Sequence, residues 1–153
     1  MPLNLAVFNV DGADAVIDAY PDINHWAIGG HSLGGAMAAR YAYNHSDVID
    51  GLVLMASFPE DQFDFSEREI AIASIYGELD GLATVDEVEA SAQLFPDDAE
   101  LIRIEGGNHA QFGWYGAQAG DNNATISRDE QYKQIIAGTL GLLELISERI
   151  QSG

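Results

Sequence analysis

The sequence predicts an α/β fold, with a mostly parallel sheet flanked by helices, in a single domain of 153 residues. Strand-like and helix-like segments alternate along the chain, which favours parallel strands joined by helical crossovers. The run at 50–56 is almost continuously apolar, as is typical of a strand buried on both faces. A glycine-rich pentapeptide, residues 30–34, joins a short apolar run to a helix-like stretch, which indicates a tight strand-to-helix turn.

Each element is predicted from its local pattern, beginning at the amino end. Residues 11–20 place apolar side chains on one face of a helix, and a second helix, 33–44, begins within the pentapeptide. The helix at 84–94 begins with Thr84 and has Glu87 three residues later, the pattern of a capping box. The full set comprises strands at 25–29, 50–56, 70–76 and 100–104, and helices at 11–20, 33–44, 84–94 and 128–150.

The last helix is predicted to pack a broad apolar face on the sheet. That face comprises Ile135, Ile136, Leu140, Leu143 and Ile146, with Leu142 and Ile150 nearby. Before this helix, residues 113–127 are rich in Gly, Asn and Ala, so they are predicted to form a long loop.

Composition and charge limit the classes of partner. The sequence has 25 acidic and six basic residues, with Lys133 as the one lysine, and a formal net charge of -19. Such a surface repels nucleic acid and anionic membranes, so we expect neither as a partner. Because salt screens like charges, the composition favours a halophilic source, with an ordinary acidic bacterial protein as the alternative. Without a membrane-length apolar segment or a signal-peptide pattern, a cytoplasmic protein is expected. The sequence has no cysteine, which excludes disulfides and thiolate chemistry.

The pentapeptide Gly30-His31-Ser32-Leu33-Gly34 supplies a candidate nucleophile. A G-x-S-x-G sequence between a strand and a helix holds its serine in a strained, exposed conformation, so Ser32 is the predicted nucleophile. The backbone N–H of Leu33, at the start of the helix, is the predicted oxyanion donor. A side chain at Gly30 or Gly34 is expected to collide with the adjoining strand or helix.

A serine nucleophile needs a base, and a histidine and a carboxylate follow it along the chain. Asp80 lies in a glycine-bracketed turn after the strand at 70–76, and His109 follows the strand at 100–104. With Ser32 as nucleophile, His109 is predicted to accept and return the proton. Asp80 is predicted to orient the imidazole and stabilise its protonated form.

Other polar residues near these motifs are alternatives or neighbours. Glu78 and Asp86 compete with Asp80 as the acid, and Asp80 is preferred because it lies beside Gly81 in the turn. Asp86 is expected instead to interact with a helix dipole. His31, next to the nucleophile, is predicted to be structural.

The substrate pocket is predicted from aromatic residues near the strand ends. Phe58, Phe112, Trp114 and Tyr115 either line an acyl or alcohol pocket or pack on the core, and the sequence leaves both possibilities open. No cluster has metal-ligand spacing, and the glycine-rich loop lacks the lysine of a phosphate-binding loop. We therefore expect neither a metal nor a cofactor.

Taken together, the segments 29–35, 76–81 and 106–109 resemble the α/β hydrolase superfamily, and within it the small cap-less esterase and dienelactone-hydrolase-like branch. The resemblance runs from about Leu3 to the last helix. It implies a serine carboxylesterase that cleaves small carboxylic esters through an acyl-enzyme on Ser32, without a cofactor.

The chain departs from that family at its amino end. Members place about four strands before the elbow, and the loop after the third supplies a second oxyanion N–H. This sequence has no such HGGG-like loop, so the resemblance implies a truncated, C-terminal part of the fold over residues 1–153. A catalytically incompetent module that acts in binding is the alternative.

The missing strands also predict an assembly. Residues 25–29 are expected to form an exposed apolar edge strand, which favours a homodimer joined at that edge. The segment 3–8 is expected either to cross to a partner subunit or to fold back on its own elbow strand.

Overall fold

The computed structural model describes residues 11–152, in which four parallel strands form one sheet in the order β1-β2-β3-β4. The strands are β1 (Trp26–His31), β2 (Ile49–Met55), β3 (Ala71–Gly77) and β4 (Glu100–Ile104). The helices are α1 (Asp14–Ala19), α2 (Leu33–Asn44), α3 (Val85–Ala90) and α4 (Arg128–Ser152), with short 3₁₀ turns at Ser91–Leu94 and Ala110–Phe112. The predicted α/β class, a parallel sheet flanked by helices, is therefore confirmed.

The core consists of two apolar layers on opposite faces of the sheet. Because successive strand residues point to opposite faces, Leu52 and Leu54 belong to one layer and Val53 to the other. The first layer packs the sheet against α2, through Ala38, Ala39 and Ala42. The second packs it against α4, through Ile135, Leu142 and Ile146. Strands β2 and β3 are thus buried on both faces, in agreement with the apolar run at 50–56.

Two helices begin with reciprocal capping boxes. The predicted box at α3 is confirmed, since Thr84 Oγ1 accepts the Glu87 N–H and the Glu87 carboxylate accepts the Thr84 N–H. The α-helical part of the predicted helix at 84–94 ends at Ala90, however, and Ser91–Leu94 form the 3₁₀ turn. A second box begins α4, where Ser127 and Glu130 exchange the same pair of bonds.

The predicted apolar face of α4 is wrong in part. Ile135, Leu142 and Ile146 are buried on the sheet, whereas Ile136, Leu140, Leu143 and Ile150 are exposed. The buried residues follow one stripe, which also includes Gln131 and Gly138. The exposed residues lie roughly 100° further around the helix, because each helical residue is rotated by about 100° from the one before it.

Strand β1 is an edge strand within the described part of the chain, because β2 is the one described strand that pairs with it. Helix α2 covers one of its faces, while Ala27 and Gly29 on the other face are exposed. The segment 3–8, predicted to cover this edge or a partner's, lies outside the described residues. Between residues 11 and 152, no helix combines the length and the apolar character needed to cross a bilayer.

Candidate active site

Ser32 lies at the turn between β1 and α2 in a strained backbone conformation, with φ 53° and ψ -127°. Its N–H donates to the carbonyl of Met55 at 2.9 Å. Its own carbonyl accepts the N–H groups of Gly35 and Ala36 and, at 2.8 Å, the hydroxyl of Ser57. The surrounding backbone therefore holds the strained turn from both sides, as a nucleophile elbow requires.

Close packing at the elbow requires glycine at two positions, one of which differs from the prediction. A Cβ atom at Gly30 would overlap the backbone of Gly34, as expected. A Cβ atom at Gly34 would meet nothing within 4 Å, so the predicted collision there is wrong. Gly35 is the second constrained position, because a Cβ atom there would lie 2.7 Å from the carbonyl oxygen of Gly30. It is Gly35 that faces β1.

Asp80 and His109 form a buried hydrogen-bonded pair. The Asp80 Oδ2 atom lies 2.8 Å from His109 Nδ1, and both side chains are almost fully buried. Asp80 Oδ1 accepts the N–H groups of Leu82 and Ala83, each at 2.8 Å. Because an ionised carboxylate is only an acceptor, these contacts place a hydrogen on Nδ1 and leave Nε2 free to accept a proton.

The two alternative acids have other contacts. The Glu78 carboxylate accepts the Gly106 N–H at 2.9 Å and lies 3.0 Å from the guanidinium of Arg103. These two donors, the Gly106 N–H first, lower the pKa of Glu78. Asp86 lies exposed in the first turn of α3. Of the three candidate acids, Asp80 is the one that contacts His109.

Ser32 and His109 line the same cavity, of about 190 Å³, at the carboxyl ends of the strands. The backbone N–H of Leu33, the first residue of α2, has no partner further back in that helix. Phe58 is the predicted pocket residue that the structure brings to this cavity. The remaining lining residues are Leu33, Ala36, Ala56, Ser57, Leu82 and Ala83.

The other three aromatic candidates, Phe112, Trp114 and Tyr115, do not line this cavity. Phe112 is buried and stacks on the ring of His31, with 5.6 Å between the ring centroids. Trp114 is 80% exposed, and the guanidinium carbon of Arg128 lies 4.5 Å from the centroid of the Trp114 ring. The structure therefore does not place Trp114 among the residues that line the cavity.

His31 packs against His109 within a cluster of aromatic rings. Its ring stacks on those of Phe112 and Tyr115, and its centroid is 4.5 Å from that of His109. Burial, followed by the proximity of His109, lowers the pKa of His31 to about 4. His31 is therefore neutral near pH 7 and contributes packing rather than charge.

Two polar residues support the site although the sequence analysis did not select them. Ser57 binds the Ser32 carbonyl, and its one sequence signal is its position just after the strand at 50–56. Gln131, fully buried on α4, accepts the Asn108 N–H and donates to the Asn108 carbonyl, which fixes the backbone before His109. Periodicity gives no signal for its burial, because the polar residues of an amphipathic helix usually lie on the exposed face.

A larger hollow, of about 570 Å³, lies at the opposite, amino end of the strands. It holds no histidine or candidate nucleophile from the motifs, and the Arg149–Asp98 ion pair lies within it. Six of its eight lining residues are charged or polar, and the full lining comprises Asp50, Arg68, Glu69, Asp98, Ile146, Arg149, Ile150 and Ser152. Across residues 11–152, no three His, Cys, Asp or Glu side chains are grouped to hold a metal ion.

A sequence model described as "Alpha/beta hydrolase family" matches residues 1–133. The chain belongs to the α/β hydrolase family. In this α/β hydrolase, the strand-to-helix elbow follows β1, and the buried acid and histidine follow β3 and β4. Among curated proteins, no significant sequence match was found.

Solved α/β hydrolases and esterases share the fold at low sequence identity. A thermophilic esterase from Thermogutta terrifontis superposes with a TM-score of 0.67 at 12% identity, over 90% of this chain and 71% of the esterase. A carboxylesterase structure from Nitrososphaera gargenis gives 0.62 at 12% identity, with 92% and 72% covered. A monoacylglycerol lipase from Paleococcus ferrophilus gives 0.59 at 13% identity, with 84% and 73% covered.

Several similar hydrolases are considerably longer than the part that this chain matches. The chain covers 62% of an α/β hydrolase from the Mar Chica lagoon metagenome, with a TM-score of 0.57, 16% identity and 69% of this chain covered. It covers 58% of a predicted CIB-like hydrolase from Thermoplasma acidophilum, with a TM-score of 0.59, 16% identity and 88% of this chain covered. This agrees with the expectation of a partial α/β hydrolase fold.

Proposed function

We propose that this protein is a serine carboxylesterase that cleaves small carboxylic esters through an acyl-enzyme on Ser32. One observation carries the proposal. His109, which is hydrogen-bonded to the buried Asp80, and the strained Ser32 line one small cavity. A cavity of about 190 Å³ is below the usual range of pockets for drug-sized ligands, which favours a short acyl or alcohol group.

In the first half-reaction, Ser32 Oγ attacks the ester carbonyl carbon while His109 Nε2 takes the hydroxyl proton. The carbonyl oxygen gains the negative charge, and the Leu33 N–H donates to it. Asp80, held as a pure acceptor by Leu82 and Ala83, stabilises the imidazolium. When the tetrahedral intermediate collapses, the alcohol leaves with the proton from His109.

In the second half-reaction, water replaces the alcohol and loses a proton to His109 Nε2 as it attacks the acyl carbon. Collapse of this intermediate breaks the bond to Ser32 Oγ, which recovers its proton from His109. The products are a carboxylic acid and the free enzyme. Every proton is moved by His109, so the reaction needs no cofactor.

A catalytically incompetent binding module is the second candidate. It is favoured because the chain lacks the HGGG-like loop that supplies the second oxyanion donor in the family. Loss of one donor typically lowers kcat by about 10²- to 10³-fold. The incompetent module would bind ester-like ligands without turnover.

A homodimer offers one source for the missing donor. Within residues 11–152, no strand pairs with the outer edge of β1, and this strand leads directly into Ser32. Two copies related by a two-fold axis would close this edge and bring a second backbone close to the elbow. We therefore include a dimer joined through residues 25–29 in the proposal.

Hydrolysis of short-chain p-nitrophenyl esters in high salt tests the function. Ser32→Ala should abolish turnover, and Ser46→Ala, at an exposed serine beyond α2, should leave it unchanged. Turnover that persists in Ser32→Ala would reject the assignment. Tight ester binding with no turnover in the unmodified protein would instead support the incompetent module.

A further inference from the structure

The long loop before α4 places a carboxylate between the two loops that carry the acid and the base. Asp121 Oδ1 accepts the N–H of Gly81 at 3.1 Å and the N–H of His109 at 3.3 Å. Asp121 Oδ2 accepts the N–H of Ala110 at 2.8 Å. Gly81 directly follows Asp80, and Ala110 directly follows His109. A single carboxylate therefore binds backbone N–H groups in both the loop that carries Asp80 and the loop that carries His109.

The Asp80–His109 hydrogen bond joins two different loops, so its length depends on how far apart those loops are held. Charge-assisted bonds from N–H groups to a carboxylate are roughly twice as strong as neutral ones. His109 and Ala110 are both buried, so their N–H groups would lose a partner if the carboxylate were removed. The geometry therefore couples Asp121 to the alignment of the imidazole.

Neighbouring contacts hold Asp121 in this position. A Cβ atom added at Gly81 would overlap the carbonyl oxygen of Gly120, so the two residues are in close contact. The Asn108 side chain donates to the Asn122 carbonyl at 2.6 Å. The residues on each side of Asp121 thus contact the acid loop and the histidine loop respectively.

We propose that Asp121 is a positioning residue that sets the separation of Asp80 and His109 through their backbones. The proposal rests on the proposed esterase function, because it gives that alignment a catalytic purpose. Asp121 contacts no reacting atom. Its effect is therefore on kcat, through the orientation of His109, rather than on ester binding.

The test compares Asp121→Ala and Asp121→Asn with a matched control, Asp97→Asn, at an exposed loop carboxylate. Misplacement of a catalytic group by about 1 Å costs on the order of 10²-fold, so Asp121→Ala should lower kcat by about that factor with KM unchanged. Asp121→Asn retains one acceptor oxygen and should show a smaller loss. Asp97→Asn should match the unmodified protein.

The second readout needs no turnover. The low-field NMR resonance of the His109 Nδ1 proton reports its hydrogen bond to Asp80, and it should shift or broaden in both Asp121 variants but not in Asp97→Asn. A purely structural role would lower the melting temperature and leave this resonance and kcat intact well below it. Should Asp121→Ala fail to fold, Asp121→Asn alone decides the question.

The result that overturns the proposal is a folded Asp121 variant with unchanged kcat and an unchanged resonance. Failure of the esterase function gives a different pattern. The unmodified protein would then show no Ser32-dependent turnover, while the resonance would still report whether Asp121 aligns the pair.

Discussion

At the elbow, a Cβ atom added at Gly35 would lie 2.7 Å from the Gly30 carbonyl oxygen and from the Ser57 side chain, whereas one at Gly34 would meet open space. Gly35→Ala should therefore destabilise the fold by about 1–3 kcal/mol through overpacking. Gly34→Ala should stabilise α2 by about 0.5–1 kcal/mol, because alanine is the better helix former. Urea denaturation measures both. Equal destabilisation by the two variants would contradict this account of the turn.

His31 gives stability a specific dependence on pH. The folded chain keeps His31 neutral until the pH falls to about 4, whereas the unfolded chain protonates it near the ordinary pKa of 6.5. Its contribution to the free energy of unfolding is therefore fully present above pH 6.5 and is lost as the pH falls towards 4. His31→Phe keeps the aromatic stack and should flatten this dependence. Identical slopes for the variant and the unmodified protein between these pH values would refute the interpretation.

At the scale of the element, two adjacent leucines of α4 differ in whether they pack the helix against the sheet. Leu142 is 2% exposed and Leu143 is 45% exposed. Leu142→Ala should cost about 2–5 kcal/mol, the usual range for a buried leucine. Leu143→Ala should change stability by no more than about 0.5 kcal/mol. The free energies of unfolding, measured in urea, should differ accordingly, and a larger loss from Leu143→Ala would show that the helix face is misassigned.

Some elements of the fold could be predicted from the sequence, and others could not. The strands at 50–56 and 70–76 were predictable, because burial on both faces leaves a continuous apolar run. The elbow and the Asp80–His109 pair were predictable because each follows a strand at its carboxyl end. The face of α4 was not, because apolar residues occur on two sides of the helix and tertiary contacts decide which side is buried.

Positions fixed by long-range backbone contacts were equally hidden. Gly35 is constrained by Ser57, and Asp121 binds N–H groups some 10 to 40 positions earlier in the chain, at spacings of 11, 12 and 40 residues. Local periodicity reports only on near neighbours. A loop rich in Asn and Gly gives no sign of which of its polar side chains will meet another loop.

At the scale of the whole molecule, a net charge of -19 should make stability depend on salt. The halophilic source stays a prediction. It requires the melting temperature to rise with KCl up to molar concentrations, as screening reduces self-repulsion. A melting temperature that stays level or falls over that range would remove the support for it.

The outer edge of β1, which no strand of residues 11–152 pairs with, predicts a dimer that light scattering in high salt can measure. Ala27→Lys places a charge on the exposed face of the edge strand and should shift the mass towards the monomer. Ala90→Lys adds the same charge on the exposed side of α3 and should leave the mass unchanged. A monomer mass for fully active, unmodified protein would exclude the dimer.

The central claim is that Ser32, Asp80 and His109 act as one catalytic unit, and labelling by a fluorophosphonate probe tests it most directly. The probe reacts with a serine only when a neighbouring base activates it. We predict that it modifies Ser32 in the unmodified protein and in a His45→Ala control, which removes a histidine at the end of α2 away from the cavity and from residues 25–29, and that labelling collapses in His109→Ala. Labelling of another serine, or labelling of Ser32 that persists without His109, would contradict the account.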